Sequence, residues 1–566
     1  MELSTLRKHA GLVCLAMCSL GSPAAAQLVE TVELVPLDPT HGADFGQSVA
    51  ISGDLAVIGS PWDDDLGSRS GSAYVFDLVS SQQLVKLLAN DGAAFDEFGV
   101  AVAIDGNIVL VGADKSDQVG SNTGSAYLFD ANTGVQLARL LPGDGGSQDG
   151  FGVSVALGGG YALVGAFRHD GQVAGSGAAY VFDVATGTQL AKLLAQDTGP
   201  GELFGCRVDM DGTRAVIGAS AHMHSSSING AAYVLDIATS TYDWELLASD
   251  GASYDSFGWP VALSGNSIWV GAPADDDMGN YSGSVYVYDL ATGSEQAKLL
   301  AQDGFVNDRF GKALDVDGGL AVVGVYLDDD HGTNSGSAYL YDSGSFAAIT
   351  KLTASDGDGG DLFGSSVAIE GSVVLVGTPN DYYNVNLVRS GSVYLFNLDC
   401  DDNGVLDYVQ ISQDASLDLN LDGRIDACEC SATVQCLGLP NSTGAVAQLT
   451  TSGSYSLAVN ALSLHVSSAA PKQLGLVLYG APGPALPFGD GLLCQTAPRA
   501  KVGPAVKPDA SGALTIHLDL SQGAPASGPA AILAFSDWVF QFVYRDPSGG
   551  GQGFNITSAL RVRFCP

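Results

Sequence analysis

The chain has 566 residues, with 62 acidic and 23 basic side chains and a formal charge of −39. A surface this acidic repels nucleic acid and anionic lipid and attracts cations, which excludes nucleic-acid binding as a function. The length allows several domains, and no segment after residue 26 is apolar for long enough to span a bilayer as a helix.

Residues 1–26 read as a secretory signal peptide. Arg7 and Lys8 supply the positive start, Ala10 to Leu20 the apolar core, and Ala24-Ala25-Ala26 the small residues before a cut ahead of Gln27. The expected location is therefore secreted or cell-surface. Cys14 and Cys18 leave with the signal. Of the seven remaining cysteines, six lie between Cys400 and Cys565, and export permits disulfides among them. Cys206 stands apart and is expected to be a buried free thiol.

Residues 27–398 are one sentence repeated. Phe-Gly recurs at Phe45, Phe98, Phe151, Phe204, Phe257, Phe310 and Phe363, always 53 residues apart. A fixed period of this size marks a repeat architecture. The second unit shows four strand signals: Phe98–Ile104, Ile108–Gly112, Gly124–Asp130 and Val135–Leu141. Asp105-Gly106-Asn107 and Asn132-Thr133-Gly134 make the turns between them. The apolar residues are β-branched or aromatic and sustain no helical period. Seven groups of four short strands predict a seven-bladed β-propeller in an all-β chain. The last unit lacks its fourth strand, whereas residues 29–36 carry that strand's pattern ahead of Phe45, with Glu33 at the place of Lys86. The N-terminal segment is thus expected to close the ring and hide a strand edge.

The stretches Phe45–Pro61 and Phe257–Pro273 resemble the FG-GAP repeats of integrin α-chain propellers and their secreted bacterial relatives. The resemblance implies a ligand-binding propeller. Several integrin blades hold calcium in an Asp-rich loop between their first two strands, but only Ser52–Asp54 or Asp105–Asn107 stands there in this chain, so those sites are not carried over.

Candidate chemistry within the repeats is carboxylate chemistry. Asp38, Asp91, Asp144, Asp197, Asp250, Asp303 and Asp356 each lie seven residues before the Phe and are expected to bond the backbone of the turn between blades. The triplets Asp63–Asp65, Asp275–Asp277 and Asp328–Asp330 are expected to be solvated loops, since no ligand ladder follows them. His222 and His224 form a metal corner without a third ligand nearby in sequence, and a surface loop is expected there. No nucleophile elbow or His-Glu-x-x-His motif is present.

Residues 399–430 carry nine acids and one Arg. Asp418, Asn420, Asp422, Arg424 (through its carbonyl), Asp426 and Glu429 occupy positions one, three, five, seven, nine and twelve of a loop with Gly423 at six. That pattern resembles the calcium loop of EF-hands and dockerins. Asp399, Asp401, Asn403 and Asp407 suggest a weaker first loop, with Gln410 at the twelfth place. Only seven residues separate the loops, too few for dockerin helices. A calcium-stiffened bridge stapled by Cys400 and Cys428 is expected.

Residues 431–566 hold five acids and seven bases, with alternating runs such as Ala513–Leu520 and Trp538–Asp546. A β-sandwich is expected, with Cys494 paired to Cys565 and Cys430 to Cys436. Its phrases resemble a C-terminal module of secreted bacterial repeat proteins. Trp538, Phe540 and Phe542 share one strand face and are expected to be core. The chain as a whole reads as a non-enzymatic extracellular binding or adhesion protein. It is expected to be monomeric, with calcium as its ion and a protein or glycan as ligand. A secreted hydrolase or lyase using rim carboxylates, or a structural envelope component, are the alternatives.

Overall fold

The computed structural model describes residue 28, residues 30–399 except 198, 225–226 and 384–387, and beyond them residues 405–414, 417, 425, 431–436, 446–452, 462–469, 471–488, 491–517, 537–545 and 554–563. Residues 1–26, read above as a signal peptide, lie outside the described residues.

Residues 32–397 form seven four-stranded antiparallel sheets. Blade one comprises Ser48–Ser52, Leu55–Ser60, Ser72–Asp77 and Gln82–Leu87, from the innermost strand outward. The other blades follow at the repeat spacing. Innermost strands of neighbouring blades pack side by side all the way round, the first against the last included, so the sheets close into a propeller. Closure uses the N-terminus: Val32–Leu34 pairs with Ser392–Asn397, matching Val32 to Leu395, Glu33 to Tyr394 and Leu34 to Val393. Leu28 also bridges to Leu352 on blade six.

The core lies between blades. Phe45, Ile58 and Tyr74 of blade one share a cluster with Leu34, Leu375 and Val393 of blade seven, and each interface repeats that plan. Phe45 meets Tyr74 and Phe76 edge-on, with ring centroids 5.3 and 6.0 Å apart. The recurring glycines serve close approach. A Cβ on Gly59 would sit 2.0 Å from the carbonyl oxygen of Gly99 on the next blade, and Gly99 itself holds φ +95°. The outer hairpins are fixed by Asp-to-hydroxyl turns, as where Asp130 accepts from both the N–H (2.8 Å) and the hydroxyl (2.7 Å) of Thr133.

A correction concerns the bridge. A two-turn helix, α1 (Asp407–Gln413), forms where no helix was expected. It begins inside the first acidic loop instead of after it, so the short spacing between loops does not forbid it. Asp407 lies in its first turn, where the helix dipole favours a carboxylate. Leu406 packs on the core of blades six and seven, and Asp407 N–H donates to the Leu398 carbonyl at 2.7 Å.

In the C-terminal region one sheet holds Ser431–Cys436, Ala559–Arg563, Asp537–Arg545, Gly475–Phe488 and Gly491–Val506 in that order, with Phe554–Ile556 beside Asp537–Arg545. A second sheet holds Gln448–Ser452, Ser463–Ser467 and Leu514–His517. Leu449, Leu464 and Val466 of the second sheet share a core with Tyr479, Trp538, Phe540 and Phe542 of the first. Those aromatics are therefore buried rather than offered as a platform. Cys206 is a buried free thiol. There is no disulfide among the described residues, and the side chains of Cys400, Cys428, Cys430, Cys436, Cys494 and Cys565 lie outside them. No described helix is long and apolar enough to cross a membrane.

Candidate functional site

The carboxylates do not behave as the sequence suggested. In blade one the Lys86 ammonium stands among three of them, 2.8 Å from Asp38, 2.7 Å from Asp63 and 2.7 Å from Asp65. Lys298 repeats this with Asp250, Asp275 and Asp277 at 2.8, 2.9 and 2.6 Å. Lys351 does so with Asp303, Asp328 and Asp330 at 2.8, 2.6 and 2.5 Å. A buried tyrosine completes each hub: Tyr286 reaches Asp250 at 2.7 Å and Asp275 at 3.0 Å.

The electrostatics follow. Burial alone would raise the carboxyl of Asp63, but hydrogen bonds from Lys86, Ser72 and Tyr74 outweigh it and hold the group below its ordinary range. Burial would likewise lower Lys86, and its three Asp partners reverse that and raise it. Two expectations are thus corrected. The first and third members of each Asp triplet grip an internal ammonium, while the middle one, such as Asp64, fixes the loop by accepting from Arg69 N–H at 2.7 Å. The Asp seven residues before the Phe gives its carboxylate to the hub lysine and tyrosine in blades one, five and six rather than mainly to the turn, although Asp250 and Asp303 also bond their own backbone N–H. The turn role falls mainly to a different carboxylate, two residues before the Phe. Asp149 accepts from Gly146 N–H at 2.6 Å and Asp361 from Asp358 N–H at 2.5 Å. Burial pushes Asp361 up to about 6. In blade two, Arg139 pairs with Asp91 in place of the lysine.

The second constellation lies on the axis. The inner strands line a cavity of about 390 Å³ whose wall includes Arg207, Trp259 and Lys312. The Arg207 guanidinium lies 3.6 Å from the Trp259 ring centroid and the Lys312 ammonium 4.8 Å from it. Arg207 donates to the Cys206 carbonyl at 2.7 Å. Neither cation forms an ion pair among the described residues, and the buried Trp259 Nε1 has no hydrogen-bond acceptor. Burial, then the charges of Arg207 and Arg309, push the Lys312 ammonium down to about 7. A neighbouring cavity of about 500 Å³ shares Gln47, Val100, Lys312 and Ser365 with the first and adds Asp44, Trp62, Glu97, Tyr326 and Arg389. Cations without ion-pair partners beside an indole whose N–H has no acceptor suit an anionic group carrying an apolar or sugar body.

These residues escape the pattern that reveals the fold. Two positions after each repeat Phe stand Gln47, Val100, Val153, Cys206, Trp259, Lys312 and Ser365, and one position further stand Ser48, Ala101, Ser154, Arg207, Pro260, Ala313 and Ser366. Aligning the repeats and looking for positions that refuse to repeat is the signal that finds them.

Of the expected calcium ligands, Asp401, Asn403, Asp418, Asn420, Asp422, Arg424, Asp426 and Glu429 lie outside the described residues. Asp399 and Asp407 are described, and both are buried.

Comparison with known families matches the FG-GAP repeat seven times, at residues 28–76, 82–129, 135–182, 188–235, 243–288, 294–341 and 346–396, together more than half of the chain. A search of curated proteins found no match. Each matched segment after the first starts at the outer strand of one blade and ends in the third strand of the next, so the sequence unit runs one strand out of step with the blade. With seven such units folded as seven four-stranded sheets, the chain belongs to the FG-GAP repeat family.

Proposed function

We propose that the protein is a secreted, non-enzymatic binding protein of the adhesion type, whose propeller recognises an anionic group on an extracellular protein or glycan. The observation that carries this reading is the pair Arg207 and Lys312 on Trp259, neither ion-paired among the described residues, in a chain with only 23 basic residues. Positions that serve the fold are the same in blade after blade, whereas the channel wall differs from blade to blade. An acidic body repels anions at long range, so only one that reaches the axis is held. The rival reading, a hydrolase or lyase using rim carboxylates, is disfavoured by the ammonium and phenol contacts that occupy those carboxylates. The third, a structural envelope component, leaves the axial cations without a role.

Calcium belongs in this proposal at the acidic bridge, held by Asp418, Asn420, Asp422, the Arg424 carbonyl, Asp426 and Glu429, with Asp399, Asp401, Asn403 and Asp407 as a weaker set. It would supply charge neutralisation and stiffness there. Support comes from the Leu398–Asp407 bond, which brings the expected ligand Asp407 back to the residue before Asp399. The C-terminal unit is read as a β-sandwich, and the protein as a monomer delivered by its signal peptide.

The test is retention of the full chain on arrays of sulfated, uronic-acid and neutral glycans and of acidic peptides, at physiological salt with calcium. Anionic members are expected to bind, and Arg207→Ala with Lys312→Ala to abolish it. Equal binding by that double variant, or turnover lost with one rim Asp→Asn change, would replace this reading.

A further inference from the structure

Five of the seven hubs contain a built-in cation: Lys86, Arg139, Lys192, Lys298 or Lys351, all at one position of the repeat. Blade four places Glu245 there. The reversal of charge is accompanied by a second change, since His222 stands where blades one, five and six have Asp63, Asp275 and Asp328.

The three side chains converge. One ligand atom each of Asp197, His222 and Glu245 lie within 4.8 Å of one another. His222 Nε2 is 3.8 Å from Asp197 Oδ2 and 3.5 Å from Glu245 Oε1. Ligand atoms about 2.0–2.1 Å from a tetrahedral zinc ion lie about 3.3 Å from each other, so modest closure would bring these donors into range. The imidazole is aimed from behind: on the Nδ1 side the Tyr233 hydroxyl and Glu202 Oε2 each lie 3.3 Å away. His222 and Glu202 are both 2 % exposed, and Glu202 Oε2 has no hydrogen bond. Glu202 itself is tied down by Met223 N–H at 3.3 Å. A buried carboxylate behind a histidine whose other nitrogen faces two more carboxylates is the arrangement that orients metal-binding imidazoles.

We propose that blade four binds a zinc ion through His222 Nε2, Asp197 and Glu245, with Glu202 as the positioning residue. The mixture of one imidazole and carboxylates selects a transition metal over calcium, which takes oxygen ligands alone. Asp197 and Glu245 are 48 % and 36 % exposed, so the ion keeps a face open to water. Its double charge answers Asp197 and Glu245, as the ammonium answers the carboxylates of blade five.

Blade three supplies the internal control. It has the same histidine, His169, with Asp149 behind Nδ1 at 2.7 Å and Asp144 3.8 Å from Nε2, but Lys192 puts its ammonium 2.6 Å from Nε2. Sequence inspection around His222 missed the site because Asp197 and Glu245 arrive from neighbouring turns of the repeat.

The experiment is zinc titration of the full chain with calcium in excess, reading stoichiometry and affinity by calorimetry and metal analysis. Glu245→Lys, which recreates blade three, is expected to fold and to lose one zinc equivalent. His222→Gln is expected to weaken that zinc at least tenfold, and Glu202→Gln by roughly 10–100-fold without changing stoichiometry. Lys192→Glu is expected to add a second equivalent in blade three. Wild-type zinc affinity in folded Glu245→Lys or His222→Gln, no second equivalent in Lys192→Glu, or calcium displacing zinc from blade four would each overturn the proposal.

Discussion

Blade five and blade seven share strand order, register and interblade core, yet their hubs are opposites. In blade five Lys298 sits among three carboxylates, each within 2.9 Å of its ammonium. In blade seven, whose outer strand comes from the N-terminus, the corresponding residue is Glu33. Burial, then Asp381, Asp356 and Glu30, push its carboxyl up to about 7. Tyr394 still bridges Asp356 and Asp381, at 2.8 and 3.1 Å. The difference teaches that the hub cation is not what makes a blade. Phe, Gly and the alternating strands make it, and the hub sets how stability responds to charge.

The severest way to break the comparison is to remove blade seven's borrowed strand. Deleting residues 27–40 takes away buried Leu28 and Leu34 and exposes a strand edge. The loss should be about 5 kcal/mol or more in denaturant unfolding. An unchanged midpoint would refute closure by this strand.

The next largest effect is with pH. Glu33 and Asp209 are raised to about 7 and Asp315 to about 6, chiefly by burial, from ordinary values of 4.5 and 3.8. Between the unfolded and folded values the folded chain holds more protons, so stability rises as pH falls from 8 to 5. The Lys–Asp hubs act the other way. Asp250 and Asp275 are held below 3.8 because, against burial, Lys298 and Tyr286 or Ser284 bond them. Their contribution is present above that value and is lost as pH falls further. Melting temperature should therefore peak near pH 5, and Asp209→Asn should flatten the alkaline side. A monotonic rise from pH 5 to 8 would contradict the raised carboxyls, and a melting temperature that keeps rising below pH 4 would contradict the hubs.

Within one hub, Lys298→Met leaves the buried Asp275 facing two other carboxylates. A cost of about 2 kcal/mol at pH 7 is expected, between that of exposed and fully buried pairs, and it should shrink below pH 4. Smallest is the reverse change. Glu33→Lys should give blade seven the hub of blade five and stabilise it by about 1 kcal/mol at pH 8 in urea titration. Destabilisation there would mean that the repeat position, though equivalent, cannot deliver an ammonium to Asp356 and Asp381.

The architecture was legible because the 53-residue period, the Phe-Gly pairs and the turn residues act locally. Even the closing strand could be placed by register, from Glu33 against Lys86. The hubs were half legible. Asp38 and Asp63 stood out, but Lys86 is 48 residues from Asp38, so their meeting depends on how strands stack within the blade. The axial cations were overlooked, since Arg207 lies within an inner strand and Lys312 directly before one, where the apolar alternation dominates the reading and only a comparison of repeat with repeat marks them. Helix α1 was missed because two turns are too short to display a helical period.

Pairing Leu34 with Val393 also orders events in time. A growing polypeptide makes the first member of this pair long before the second, so six blades can assemble while their leading end waits unsatisfied. Only a chain translated past the last blade can shut. A prematurely terminated product keeps its sticky edges, and quality-control proteases can read that as incompleteness.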